Sequence, residues 1–281
     1  HRAPASDAEE VSTIREAPAR TILSPTSGFI REAGFTHSLS PARNCTYGCS
    51  YCYVPTMRLQ GGLRKEDWEN WGKFTTFKHN AAELLARELR PSQRIYCSPV
   101  VDPYQPAERE QEAMPGILAA LIASPPEVFV IQTRGPLIVR DLDLLKQLAR
   151  RTILRVSFSV PSDRNEILRW FEPRCATFEE RLEALRTLRE AGIASQATVA
   201  PILPCDPDRL VDRLLDVTEA DIIGDPLHVR ATKPRGATTR EAAVRICEKQ
   251  GLQEWLDPAE QQRMCAMLQG AAERRGYRFV T

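Results

Sequence analysis

The sequence has no apolar run long enough to cross a bilayer. Its apolar stretches are short, such as residues 128–131, whereas a membrane-spanning helix needs about 20 consecutive apolar residues. The first thirty residues also lack the apolar core of a signal peptide. We therefore expect a cytoplasmic protein that does not span a membrane.

The sequence also has almost no net charge. It contains 38 Lys and Arg against 37 Asp and Glu, which leaves a formal charge of +1. So weak a summed field offers no long-range attraction for a nucleic-acid backbone, although it is compatible with a local basic groove. With 42% hydrophobic and 27% charged residues over 281 positions, the chain has the composition of a folded globular protein with one large core.

The sequence does contain a cluster of cysteines. Cys45, Cys49 and Cys52 stand at C-x₃-C-x₂-C spacing in one loop, directly after the first predicted strand. A chain of this length needs no disulfides for stability, so the clustering points to metal chemistry. Iron–sulfur clusters are held by cysteine thiolates, and three ligands to a cube of four irons leave one iron open. An open iron can bind a substrate or cofactor.

A structural zinc site is the alternative interpretation of these thiols. Such a site has four Cys or His ligands, usually in pairs, and His79 is a candidate fourth ligand. The sequence contains no second C-x₂-C pair, which favours the cluster. The remaining cysteines are widely separated, and we interpret Cys175, Cys205, Cys247 and Cys265 as buried or incidental thiols.

Short β-type runs alternate with amphipathic helices from residue 35 onward. One helix is predicted over 80–89 with Asn80 as its N-cap, followed by a strand over 94–97. Another begins at a capping box formed by Thr177 and Glu180. The alternation predicts six βα units and a TIM-type barrel or partial barrel, with functional groups at the C-terminal ends of its strands. A doubly wound open sheet is the alternative.

The chain divides into three parts on this interpretation. Residues 1–34 have no sustained period and are expected to form an extended or partly disordered N-terminal arm. Residues 35–238 form the barrel. Residues 239–281 are helical in composition and are expected to form a C-terminal extension that packs on the barrel.

Several strings of residues resemble a known family. The cysteine spacing, with Tyr51 before the last cysteine, resembles the radical S-adenosylmethionine (SAM) signature. The strings at 35–41, 52–55, 102–108, 140–145 and 172–174 together resemble spore photoproduct lyase-like radical SAM proteins, over residues 35 to about 204. The resemblance implies a partial (βα)₆ barrel, a [4Fe–4S] cluster, SAM, and a reductant such as flavodoxin or ferredoxin. The named member of that family repairs a thymine dimer in spore DNA.

The resemblance also implies roles for individual residues. Cys97 matches the cysteine that returns a hydrogen atom in the lyase, and Tyr53 matches a tyrosine that relays the radical. The simpler interpretation makes Cys97 a small buried hydrophobe and Tyr53 a packing residue. By the same resemblance, the residues that contact SAM are Tyr51, Ser98, Gln132, Arg134, Ser157, Ser159 and Ile202. Arg134 stands where many members of the family carry Lys.

The identity of the substrate stays open at this point. A nucleic-acid lesion competes with a small metabolite or peptide, and a metal or redox module without turnover is the non-enzymatic hypothesis. Cations interleave with Trp68, Trp71, Phe74 and Phe77 after the cysteine loop, which would suit a nucleic acid. Acidic residues interrupt that run, so we favour shielding of the cluster by these rings. The cations are Arg58, Arg64, Lys65, Lys73 and Lys78.

Overall fold

A computed structural model describes residues 13–57 and 63–281. Its strands are β1 (Thr13–Ala17), β2 (Leu23–Pro25), β3 (His37–Leu39), β4 (Ala42–Arg43), β5 (Phe74–Lys78), β6 (Arg94–Cys97), β7 (Val128–Thr133), β8 (Ile153–Ser159), β9 (Ser195–Val199), β10 (Ile222–Gly224) and β11 (Phe279–Val280). Its α-helices are α1 (Gly28–Glu32), α2 (Lys65–Glu69), α3 (Ala81–Glu88), α4 (Glu108–Gln111), α5 (Ala113–Ala123), α6 (Leu142–Ala149), α7 (Asn165–Phe171), α8 (Phe178–Glu190), α9 (Pro207–Thr218), α10 (Glu241–Lys249) and α11 (Pro258–Arg274). Short 3₁₀ segments lie at Val54–Thr56, Pro136–Asp141 and Gln253–Leu256.

The main sheet confirms the predicted barrel architecture. Strands β3, β6, β7, β8, β9 and β10 lie side by side in that order, and every neighbouring pair is parallel. A doubly wound sheet reverses its strand order part-way across, and this sheet does not. The six parallel strands therefore form the partial (βα)₆ barrel that was expected, with helices on its outside.

The two faces of the barrel sheet differ in chemistry. Because side chains alternate along a strand, residues paired in register point to the same face. Leu39, Cys97, Ile131 and Val156 form one such row across four strands, and each is 0% exposed. We call this apolar, helix-covered side the outer face. The inner face carries polar residues instead: Tyr96 donates a hydrogen bond to Gln132 at 3.0 Å, and Gln132, Ser157 and Gln196 share a row.

The N-terminal segment differs from the predicted arm. Residues 1–12 lie outside the described part of the chain, but residues 13–34 form β1, β2 and α1. Strand β1 pairs with β5 in a small second sheet, and β2 pairs antiparallel with β3 at the edge of the barrel sheet. These strands are short and depend on pairing with distant residues, which a local period does not show.

Side chains of α3 and its N-cap position attach this segment to the barrel. Asn80 occupies the predicted N-cap position but makes no capping hydrogen bond. It instead pairs with both backbone groups of Ala19, each at 2.9 Å. Glu88 accepts from the backbone nitrogens of Ile22 and Leu23. By contrast, the predicted capping box at the start of α8 is present.

The C-terminal extension contains the predicted helices and also a strand. Helix α11 packs on α9, and β11 pairs parallel with β10, so β11 extends the barrel sheet beyond β10. No helix among residues 13–57 and 63–281 is both long and apolar enough to span a bilayer.

Candidate functional site

The cysteine loop follows β4, and the side chain of Asn44 fixes the start of the loop. This residue adopts a left-handed conformation with φ 62°. Its side-chain oxygen accepts hydrogen bonds from the backbone nitrogens of Cys45 (2.8 Å) and Gly72 (3.0 Å). Cys45 and Cys49 are buried and Cys52 is partly exposed. The loop is thus folded against the protein, with Cys52 the most exposed of its three thiols.

Close backbone packing requires glycine where the loop crosses the segment before β5. A Cβ atom added to Gly72 would lie 2.8 Å from the Cα of Gly48, and both glycines have positive φ. Arg174 donates to the carbonyl oxygens of Thr46 (3.1 Å) and Gly72, on the two sides of this crossing. The Glu172-Pro173-Arg174 string therefore supports the shape of the cysteine loop.

The segment after β6 also holds the cysteine loop. Gln105 Oε1 accepts from the backbone nitrogen of Thr46 (2.7 Å) and from its hydroxyl (3.0 Å), and all three groups are buried. Tyr47 Oη donates to the carbonyl of Tyr104 at 3.0 Å. Asp102 orients this segment by accepting from the backbone nitrogen of Tyr104 at 2.9 Å. In the sequence, the string at 102–108 indicated only the family resemblance, because a contact between residues 46 and 105 leaves no local pattern.

A buried carboxylate connects the cysteine loop to the barrel. Glu172 is 1% exposed, and it accepts from Tyr51, Arg134 and Arg181. Burial alone would raise the pKa of Glu172, but Arg181 and Arg134 outweigh burial and hold the pKa below its ordinary value. The group is therefore an anion between two cations, one of which, Arg181, is fully buried.

Most of the side chains implied for SAM lie on the inner face, at the C-terminal ends of strands. Ser157 Oγ is 2.6 Å from Thr198 Oγ1, and Ser98 Oγ, just after β6, is 2.9 Å from Ser40 Oγ. Ser159 Oγ is buried and has no hydrogen-bond partner among the described residues. A buried hydroxyl without a hydrogen-bond partner costs free energy, so the Ser159 hydroxyl is suited to hydrogen-bond a polar group of a ligand.

Arg134 and Ile202 already have hydrogen-bond partners within the protein, and their contact with SAM stays a prediction. Arg134 already pairs with Glu172 and Tyr51, and its backbone nitrogen donates to Asp102 at 2.8 Å. Ile202 is fully buried; its backbone nitrogen donates to Asp225 (2.9 Å) and its carbonyl accepts from a tryptophan ring nitrogen (3.0 Å). Because the Ile202 side chain is 0% exposed and its backbone groups are paired, its contact with SAM stays a prediction.

The two residues with implied catalytic roles occupy different surroundings. Tyr53 Oη donates to the carbonyl of Pro99 at 2.6 Å, beside the end of β6, and burial raises the pKa of this phenol. Cys97 lies on the outer face in the row with Leu39 and Ile131. Its hydrogen-donor role stays a prediction, and the strand register counts against it, because a donor has to reach the inner face.

The three cysteines of the motif do not share one environment. Burial raises the pKa of the Cys45 thiol above its ordinary value and raises that of Cys52 to about 12. A hydrogen bond with Cys175 lowers the pKa of Cys49, and Arg134 acts in the same direction against burial. Three thiols on one loop fit a cluster, since each binds a separate iron.

A second group of possible metal-ligand atoms includes Cys49 and also Cys175, which the sequence did not connect with the site. Donor atoms of Cys49, Glu172 and Cys175 lie within 4.8 Å of one another. Cys45 and Cys52 do not belong to this compact group, nor does His79, which is exposed. Among the described residues, the zinc interpretation thus lacks its proposed fourth ligand.

Three of the four rings in the aromatic segment after the cysteine loop are buried, and Trp68 is partly exposed. Trp71, Phe74 and Phe77 are at most 6% exposed, so their rings are not available to stack on bases. Arg64, Lys65 and Lys73 are exposed, whereas Arg58 lies outside the described residues. The shielding interpretation is therefore supported for the buried rings.

The model of the radical SAM superfamily matches residues 39–216, from β3 to the end of α9. The chain belongs to the radical SAM superfamily. Members of this superfamily hold a [4Fe–4S] cluster and SAM. In this radical SAM chain, three thiols on one loop and polar side chains on the inner face fit both groups.

Curated relatives carry no assigned function. An uncharacterised protein of Mycobacterium tuberculosis is 32% identical over 188 residues, which cover 64% of this chain and 54% of the relative. An uncharacterised protein of Acidianus two-tailed virus is 26% identical over 230 residues, covering 76% of this chain and 74% of the relative. The chain spans about half the length of the mycobacterial relatives it matches.

Solved structures with the same fold include mutants of spore photoproduct lyase. A cysteine-to-serine mutant of that lyase superposes with a TM-score of 0.65 at 17% identity, covering 100% of this chain and 86% of the lyase chain. A double mutant with bound AdoMet and dinucleoside spore photoproduct gives a TM-score of 0.63 at the same identity and coverage. At this level of identity the similarity shows the fold.

Proposed function

We propose that this protein is a radical SAM enzyme that removes a hydrogen atom from a substrate held at the inner face of the barrel. The observation that carries the proposal is the position of the cysteine loop. It lies beside the C-terminal ends of the strands, where barrel enzymes place their chemistry, and polar side chains implied for SAM lie on the same side. A flavodoxin or ferredoxin is the proposed electron donor.

When bound, the cluster and SAM would supply the radical chemistry, the one-electron reductive cleavage of SAM that makes hydrogen abstraction possible. The protein holds and shields them. Cys45, Cys49 and Cys52 provide the thiolate ligands, and Ser157 and Ser159 provide hydroxyls on the inner face. Buried rings of the shielding segment exclude water from the loop that carries the thiols.

We propose a nucleic acid as the substrate, on the strength of a basic loop at residues 225–240. This loop joins β10 to α10 and contains four Lys or Arg but one acidic residue. It lies against the cysteine loop: Arg240 donates to the carbonyl of Cys49 (3.3 Å), and Thr56 Oγ1 donates to the carbonyl of Thr238 (3.2 Å). Arg230 and Arg235 are exposed, and cations of this kind neutralise phosphates.

The lyase structures support the same choice by analogy. One of them contains a dinucleoside spore photoproduct, a fragment of damaged DNA. A lesion in DNA is therefore the first substrate to test, and a small metabolite or a peptide is the competing class.

The cluster and its ligands are tested by SAM cleavage. After anaerobic reconstitution with iron and sulfide, dithionite and SAM should yield 5′-deoxyadenosine with the wild type. A Cys45→Ala/Cys49→Ala/Cys52→Ala variant should yield none, because it has lost the thiolates that bind the cluster. Chromatography of the nucleoside is the measurement. A wild type that carries a full cluster yet never cleaves SAM would make a redox module the better account.

The role of Cys97 is tested by Cys97→Ala. The thiol faces the helices, so the variant should keep 5′-deoxyadenosine formation and the product distribution of the wild type. It should lose roughly 1 kcal/mol of unfolding free energy, as for other small deletions in a packed core. Denaturant unfolding and product analysis are the measurements. A changed product distribution at unchanged cluster content would instead establish Cys97 as the hydrogen donor.

The basic loop is tested by a Lys233→Gln/Arg235→Gln variant. A Lys146→Gln/Arg150→Gln variant is the matched control: Lys146 on α6 is half-buried like Lys233, and Arg150, just after α6, is exposed like Arg235. Affinity for a DNA duplex should fall, and the slope of log K against log salt should become shallower by about 1.8, for two lost phosphate contacts. If both variants bind DNA like the wild type across the salt series, a nucleic-acid substrate is contradicted.

A further inference from the structure

Cys175 lies against one of the three cluster ligands. Its Sγ is 3.9 Å from the Sγ of Cys49, although 126 residues separate the two in sequence. This is the only Sγ–Sγ contact within hydrogen-bonding distance in the described part of the chain. Cys175 follows α7 in the loop that also carries Glu172, and it is partly exposed. Cys175 is thus the more exposed member of the pair, since Cys49 is buried.

The distance between the sulfurs is compatible with two kinds of chemistry. Two thiolates bound to one zinc ion, each at about 2.3 Å in tetrahedral geometry, stand just under 4 Å apart. A disulfide, whose sulfurs lie about 2 Å apart, is the other chemistry open to two thiols in contact, and it requires side-chain rotation to close the remaining gap. The charges around the pair decide between the two.

Those charges disfavour a cation at this place. Glu172 is the third donor of the compact group, but its two oxygens already pair with Arg134 and Arg181. A divalent ion would have to displace two guanidinium groups or lie beside them. The same cations do not oppose a disulfide, because its two sulfurs carry no net charge.

We propose that Cys49 and Cys175 form a reversible disulfide in the cluster-free protein, with a peroxide as the oxidant. One thiol ionises and its thiolate attacks a peroxide oxygen to give a sulfenic acid, and the other oxygen leaves as hydroxide, which takes up the thiol's proton and becomes water. The second thiol then displaces the sulfenic hydroxyl as water and closes the S–S bond. In total two thiols lose two electrons and two protons, and one hydrogen peroxide becomes two waters.

The disulfide would control cluster assembly. Cys49 cannot bind iron while its sulfur is joined to Cys175, so oxidised protein lacks one of three cluster ligands until a thiol reductant opens the bond. The bond would also prevent irreversible oxidation of Cys49. This inference depends on the three-thiolate cluster site and is independent of the substrate.

The test uses cluster-free wild type treated anaerobically with hydrogen peroxide and then analysed by intact mass and peptide mapping. We expect a mass loss of about 2 Da, for two hydrogens, the loss of two of the eight free thiols, and one cross-link, between the peptides of Cys49 and Cys175. Dithiothreitol should restore all thiols. A cross-link within the 45–52 loop in place of this one would overturn the proposal, as would protection of the pair by zinc.

Cluster assembly provides the second measurement. Oxidised wild type should take up iron and sulfide only after reduction by dithiothreitol, whereas oxidised Cys175→Ser should recover less uptake on the same reduction, because its Cys49 has no partner thiol and is oxidised irreversibly. Cys205→Ser is the matched control, as another partly exposed thiol, and should behave as the wild type. Recovery of uptake by reduced wild type equal to that of reduced Cys175→Ser would contradict the inference. All readouts are independent of SAM cleavage and of any substrate.

Discussion

The site depends on one buried carboxylate between two cations. Taking charges out of water costs several kcal/mol per ion, which pairing and hydrogen bonds have to offset. Glu172 satisfies this condition through Arg134, Arg181 and Tyr51. The four residues come from the end of β7, the helix α8, the loop after α7 and the cysteine loop. The carboxylate thereby fixes the cluster loop relative to the strand ends that face it.

A second constraint is the period of two along the strands. It places Gln132 and Ser157 on the inner face, where polar groups can meet a ligand, and Cys97 on the outer face with apolar neighbours. The family resemblance implied a role in the site for all three. The strand register therefore places on opposite faces residues for which the family resemblance implied roles in one site. Arg134, just after β7, belongs to the charged network as much as to any ligand contact.

The sequence predicted those parts of the fold that leave a local pattern. The strand over 94–97, the capping box at Thr177 and the six βα units are all present, because periodicity and capping act over a few residues. The three cluster cysteines form a local motif as well. The short strands of the N-terminal segment were missed, since they are stabilised by distant pairing.

The supporting contacts of the site could not be predicted, for the same physical reason. Cys175 meets Cys49 across 126 residues, and Gln105 meets Thr46 across 59. Neither contact has a period, a spacing or a composition that marks it. Two strings that supported the family resemblance, at 102–108 and 172–174, supply Gln105, Glu172 and Arg174, which hold the cysteine loop.

The role of Glu172 in fixing the cluster loop is tested most directly by measuring the unfolding free energy and the iron content of Glu172→Gln after reconstitution. Glu166→Gln, an exposed position on α7, is the control. Removal of the carboxylate charge leaves Arg181 buried without its partner, so stability should fall by about 3–5 kcal/mol, and the displaced cysteine loop should retain less iron. Stability and iron content equal to those of Glu166→Gln would contradict the account.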